Sequence, residues 1–137
     1  MARLKRLSFP KAKRLVSNRQ FKAVLDQRCR AGDALLALWM AANECGHPRL
    51  GVSVGKACGN AVARNRLKRL LREAFRVSQD RIPQNVDYVL MMAPPMTRKL
   101  RDPKRGPAAL ASVTLEQTQE SFLALVDILS RRVSSTE

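Results

Sequence analysis

The sequence predicts an α+β domain in which helices pack on a single β-sheet. Three observations predict it. Helical periodicity follows Ser/Thr capping boxes near both ends, a long amphipathic helix lies mid-chain, and short period-two or continuously apolar runs lie between them. At 137 residues the chain suits one domain, and it shows no internal repeat.

Residues 1–15 read as a loose basic arm, since the first 30 residues hold ten Lys/Arg against Asp26 alone. Ser17 and Gln20 then form a capping box, with Val16 and Phe21 placed as a hydrophobic staple. They open a helix over about residues 18–27 whose inner face carries Phe21, Val24 and Leu25. Residues 28–33 break the pattern. Residues 34–43 predict a strand, with Leu36, Leu38 and Met40 facing one way and Leu35, Trp39 and Ala41 the other. Local propensity of this Ala/Leu-rich run favours a helix. Its short length and the Gly46-His47-Pro48 turn instead predict a hairpin with residues 49–54. There Leu50, Val52 and Val54 alternate with Gly51, Ser53 and Gly55, and the bare second face leaves room for something to lie on the sheet.

The chain is organised around residues 59–76. Ala63, Leu67, Leu70, Leu71, Ala74 and Phe75 recur at spacings of three and four and share one side of a helix. Arg66, Lys68, Arg69, Arg72 and Arg76 fall on the opposite arc with Asn65, and Arg64 lies near the seam. Asn60 is placed as the N-cap, after a turn at Gly59. Only Glu73 interrupts the charge. A merely solvated face mixes signs, because opposite charges three or four residues apart support a helix. A single-sign face repels itself, so a polyanion is the partner it fits.

Residues 82–85 read as a turn, and residues 87–93 as a strand buried on both faces, stopped by Pro94-Pro95. Residues 96–110 hold Arg98, Lys99, Arg101, Lys104 and Arg105 against Asp102, and with their Pro and Gly read as a flexible basic loop, added RNA contacts being the alternative. Thr114 and Gln117 form a second capping box. They open a helix with an apolar stripe of Leu115, Phe122, Val126, Leu129 and Val133. From Gly106 onward two bases meet four acids, so this helix is expected to pack on the sheet, away from nucleic acid.

A net charge of +15 with 45% hydrophobic residues excludes a disordered basic tail and points to nucleic acid or an anionic membrane surface. The longest apolar run, residues 34–42, is too short to span a bilayer, and the N-terminus lacks the apolar core of a signal peptide. A soluble cytoplasmic protein is expected. Cys29, Cys45 and Cys58 with the lone His47 match no zinc spacing and read as reduced structural thiols. No catalytic residue, metal site or small-molecule substrate is expected.

The sequence resembles the protein component of bacterial ribonuclease P. The resemblance rests on residues 49–56, on Gly59-Asn60-Ala61-Val62, and on residues 64–76, which begin Arg64-Asn65-Arg66. Weaker similarity covers most of the chain. The resemblance implies an αβββαβα fold with a sheet of about four strands and the basic helix in a left-handed crossover between parallel strands. Unaided, the pattern indicates the common right-handed one. It further implies a protein that binds the catalytic RNA subunit and precursor tRNA and assists Mg²⁺-dependent removal of the 5′ leader. The RNA would carry out hydrolysis and hold most of the Mg²⁺.

Matching residues imply RNA binding by Lys56, Asn60, Arg64, Asn65, Arg66, Lys68, Arg69, Arg72 and Arg76, and a leader cleft containing Phe21, Trp39 and Ser53. Trp39 reads equally as a core residue, and Phe21 reads more readily as one. Two departures stand out: Ala57 replaces a lysine common in the family, and the 96–110 segment is longer and more basic. Composition alone also allows a basic ribosomal or ribosome-assembly protein. A DNA-binding module lacks a partner element, and a stand-alone nuclease lacks converging acids or histidines.

Overall fold

The computed structural model describes residues 9–135, with side chains as far as Arg132. Its elements are α1 (Asn18–Asp26), β1 (Arg30–Gly32), β2 (Leu36–Ala42), β3 (Arg49–Ser53), α2 (Ala61–Ser78), β4 (Val86–Met92), α3 (Pro94–Arg101), α4 (Gly106–Ser112) and α5 (Leu115–Ser135). The four strands form one sheet in the order β1-β2-β4-β3. β4 runs antiparallel to β2 and parallel to β3, so α2 is the crossover between two parallel neighbours.

The sheet order corrects the expected hairpin. β2 and β3 are not paired, because β4 inserts between them. The physical reason lies in β4: Asp87, Tyr88, Val89 and Leu90 are all buried, and only a central place covers both faces and both edges of such a run. Residues 28–33, expected as a break, hold β1, a three-residue edge strand too short for its period to be recognised in the sequence.

One face of the sheet packs against α2 and α5. Leu36, Leu38, Met40, Leu50, Tyr88 and Leu90 meet Leu67, Leu71, Phe75, Phe122 and Leu129 there. Phe75, Tyr88 and Phe122 sit 5.8–6.2 Å apart between ring centroids. Removing one such ring costs about 3–5 kcal/mol. Burial pushes the Tyr88 hydroxyl pKa up, and that hydroxyl donates to the Pro83 carbonyl at 2.7 Å. The Val133 side chain, expected to continue the α5 stripe, lies outside the described residues.

The second face carries Trp39, Ala41, Val89 and Met91 and receives α1 through Val24, Leu25 and Phe21. Both bonds of the Ser17/Gln20 capping box are present. Val16 is 68% exposed rather than stapled. The bare strip at Gly51 is filled by the Phe21 ring. At the other end of β3, Arg49 donates twice to Asp87, each bond 2.7 Å, and Asn43 donates to the same carboxylate. Arg49 is thus a structural staple of the β3/β4 pair.

Two expectations for basic segments are overturned. Residues 96–110 are no flexible loop: they lie in α3, α4 and the turn between them. Pro94, Pro95 and Pro107 occupy first-turn positions, where proline favours a helix instead of stopping one. Leu100 is buried, and Gly106 packs so tightly that an added Cβ would stand 2.5 Å from the Leu100 carbonyl oxygen. The described part of the basic arm, residues 9–15, is not loose either. The Leu15 amide donates to the Leu50 carbonyl at 2.9 Å, and Phe9 packs on Phe75 at 5.4 Å. Residues 1–8 of the expected arm lie outside the described residues.

Candidate nucleic-acid interface

α2 starts where the sequence sets it. Gly59 takes φ 127°, a conformation L side chains rarely adopt, and the Asn60 side chain accepts the Ala63 amide at 2.9 Å. Eighteen residues give a rod about 27 Å long. Leu67, Leu71, Ala74, Phe75 and Ser78 are buried, which turns Asn65, Arg66, Arg69 and Arg72 outward. Lys68 and Arg64 are half-buried at the borders, and the Arg64 Nε is buried without a hydrogen-bond partner.

The N-terminal strap faces this arc. Lys13 donates to Gln79 Oε1 at 2.7 Å at the far end of α2, and Arg14 stacks over the Phe9 ring at 4.7 Å. Between strap and helix is a cavity of about 510 Å³ into which Arg14, Lys68, Arg69, Arg72 and Arg76 converge beside Asn65. Its lining has one acid, Glu73, which pairs with Arg76. That pairing holds the Glu73 carboxyl below its usual range. Burial, and then the neighbouring Arg14, weakens the hold of Arg72 on its proton. The attraction of a bound anion would oppose both effects by favouring the charged guanidinium.

A second cavity of about 320 Å³ shares Phe9, Arg14 and Arg72 with the first and adds Phe21, Leu50 and Val52. The basic pocket therefore continues into an aromatic one. The sequence reading misses Phe9 and Arg14 as site residues because it takes the arm as unstructured, although Phe9 and Leu15 are the apolar residues that anchor it.

The remaining sequence-predicted residues are more scattered. Trp39 and Ser53 share the sheet face of Phe21 but do not line its cavity. The Arg30 guanidinium lies over the Trp39 ring at 5.2 Å, and Ser53 is exposed at the end of β3. Asn60 uses its carbonyl to cap α2. Lys56 sits in the turn before α2, at the end remote from the strap.

A family model described as ribonuclease P matches residues 9–104. This chain belongs to the ribonuclease P protein family. A Methylococcus capsulatus ribonuclease P protein component is 41% identical over 90 residues, covering 65% of this chain and 70% of the relative. The Yersinia enterocolitica component is 40% identical over 88 residues, covering 64% and 73%. Among solved structures, the Staphylococcus aureus RNase P protein superposes with TM-score 0.65 at 30% identity, over 86% of this chain and 95% of that one. The Thermotoga maritima protein gives 0.68 at 25%, over 82% and 94%. Membership makes the chain a protein component of ribonuclease P and hence part of tRNA processing. The ribosomal reading is not favoured. No helix among the described residues is long and apolar enough to cross a membrane.

Proposed function

We propose that the α2 face binds the catalytic RNA of ribonuclease P, and that the aromatic cavity continuing from it takes the single-stranded 5′ leader of precursor tRNA, in the cytoplasm. One observation carries this reading: five cations converge on a pocket that opens directly onto Phe9 and Phe21. A leader brings one negative charge per nucleotide and unstacked bases, so cations beside aromatic faces match its chemistry. Arg66, Lys68, Arg69 and Arg72 neutralise phosphates, Asn65 adds a hydrogen-bonding amide, and Arg64 carries an unpartnered buried N–H. Lys56 and the free amide of Asn60 extend the contact at the start of α2.

The chain's contribution is electrostatic and positional. Its charge offsets phosphate repulsion as substrate docks, and the cavity fixes the leader relative to the RNA subunit. Among the described residues no three His, Cys, Asp or Glu side chains gather to hold a metal. We assign Mg²⁺ mainly to the RNA, along with the hydrolytic step.

The test is 5′-processing of precursor tRNA by a ribonuclease P RNA at Mg²⁺ too low for the RNA alone. Adding the protein should restore cleavage at the mature 5′ end. Failure to restore it, or equal restoration by an unrelated protein of similar charge, would overturn the proposal.

A further inference from the structure

We infer that the α3–α4 hairpin is a second RNA-binding surface, extending the basic face of α2 past the start of that helix; the inference rests on the RNA-binding reading of α2. Five bases, Arg98, Lys99, Arg101, Lys104 and Arg105, fall within eight residues against Asp102 alone. Asp102 is already engaged. It accepts the Lys104 and Arg105 amides at 2.8 and 3.2 Å and the Arg105 guanidinium at 3.1 Å, bonds that hold its carboxyl below the usual range. Arg98, Lys99, Arg101 and Lys104 are exposed and form no ion pair among the described residues. The negative end of α3 favours cations in its last turn. Three crowd that one turn, however, and Lys104 follows beyond it, so their mutual repulsion is left for a polyanion to relieve.

This surface is held in place rather than trailing in solvent. Leu100 anchors α3 in the core, Gly106 lies against the Leu100 carbonyl, and the Cys58 sulfur meets Thr97 Oγ1 at 3.9 Å. The last contact ties α3 to the turn that carries Lys56. Between the hairpin and the start of α2 lies a groove of about 470 Å³ with an apolar strip of Val62, Pro103, Pro107 and Leu110, and Arg101 beside it. Val62 is 78% exposed and shares the outward arc of α2 with Arg66 and Arg69, four and seven residues on. An apolar strip edged by cations fits a ribose or base face with phosphates at the rim. Continuity with the α2 face selects RNA over an acidic protein. The family match ends at residue 104, so it takes in α3 and the start of the turn but not α4, the helix that closes the groove.

The experiment measures affinity of the full chain for a ribonuclease P RNA transcript, without tRNA, across a salt series. Replacing Arg98, Lys99, Arg101 and Lys104 together by Gln should flatten the log–log salt slope by about three units, since each lost phosphate contact removes about 0.7–0.9. Affinity at moderate salt should fall at least tenfold. Val62→Ser should weaken binding while leaving the slope unchanged. Should the fourfold variant melt early, Lys99→Gln with Lys104→Gln carries the same test, with a slope change of about 1.5 units. Wild-type slope and affinity in these variants, with Arg66→Ala still impaired, would overturn this inference and leave the α2 reading standing. RNA binding by the wild type that ignores salt would overturn both.

Discussion

The Phe21 ring rests on Gly51 at a separation that only glycine permits. A Cβ at position 51 would stand 2.6 Å from Cζ and 2.8 Å from Cε1 of that ring, and 3.1 Å from Leu15 Cβ. The strand face that looks empty in sequence is thus a seat for α1 and the strap together. Phe21 stays half-buried there, with part of its ring lining the cavity beside Arg14 and Arg72.

Gly51→Ala should therefore lift the ring off the sheet. The expected cost is about 1–3 kcal/mol of stability, the usual penalty of overpacking. The same substitution in a Phe21→Ala background should cost much less, because the clashing ring is gone. Denaturant unfolding of the four proteins in this cycle measures the coupling. Strict additivity would show that the ring does not depend on Gly51.

Arg14 and Arg72 set the second expectation. Burial and the proximity of Arg14 both disfavour the charged Arg72, and a bound phosphate reverses that preference. Inorganic phosphate should raise the melting temperature in a saturable way, by the equivalent of about 2.7 kcal/mol at one hundred times its Kd. Arg72→Gln should remove most of this response while leaving the phosphate-free protein folded. Equal stabilisation of both proteins would mean that phosphate acts by general salting rather than at this pocket.

Much of this architecture was legible because the responsible signals are local. The Ser17/Gln20 box, the Asn60 cap and the alternation of Leu36, Leu38 and Met40 each depend on a few neighbouring residues, and each appears as read. Strand partners are set by competition across the whole chain. The most apolar run, β4, takes the centre and separates β2 from β3. Proline misled for a related reason: it marks both ends and beginnings of helices, and only the burial of Leu100 and Gly106 decides that α3 and α4 form. Within the site, the outward arc of α2 followed from period alone. Phe9 and Arg14 did not, since their positions depend on Phe75 and on the free edge of β3.

Trp39 is the only tryptophan, so its fluorescence reports on one place. Arg30 lies over its ring at 5.2 Å, and a base stacking there must displace or sandwich that guanidinium. Leader-bearing precursor tRNA should change the emission, and mature tRNA should not. Trp39→Ala should weaken precursor binding by about 1–3 kcal/mol if it stacks a base. Identical responses to both RNAs, together with a mutant that only melts earlier, would assign Trp39 to the packing beneath α1.

The last prediction separates a subunit that positions RNA from one that performs chemistry. Arg66, Lys68, Arg69 and Arg72 act as a group of charges, so each replacement by alanine should raise the Mg²⁺ needed for half-maximal cleavage by a modest step. Combined replacements should accumulate, because phosphates are neutralised in number rather than by one essential contact. At saturating Mg²⁺ and protein, cleavage of precursor tRNA by the assembled enzyme should return close to the wild-type rate in every variant. A catalytic residue behaves otherwise: its loss lowers the rate constant itself and is not recovered by saturation. Single-turnover cleavage across a Mg²⁺ series distinguishes the two, since it isolates the chemical step from binding. If one of these substitutions abolished cleavage at saturation while the RNA-bound fraction stayed unchanged, the protein would be supplying a group to the reaction, and assigning hydrolysis to the RNA alone would be wrong.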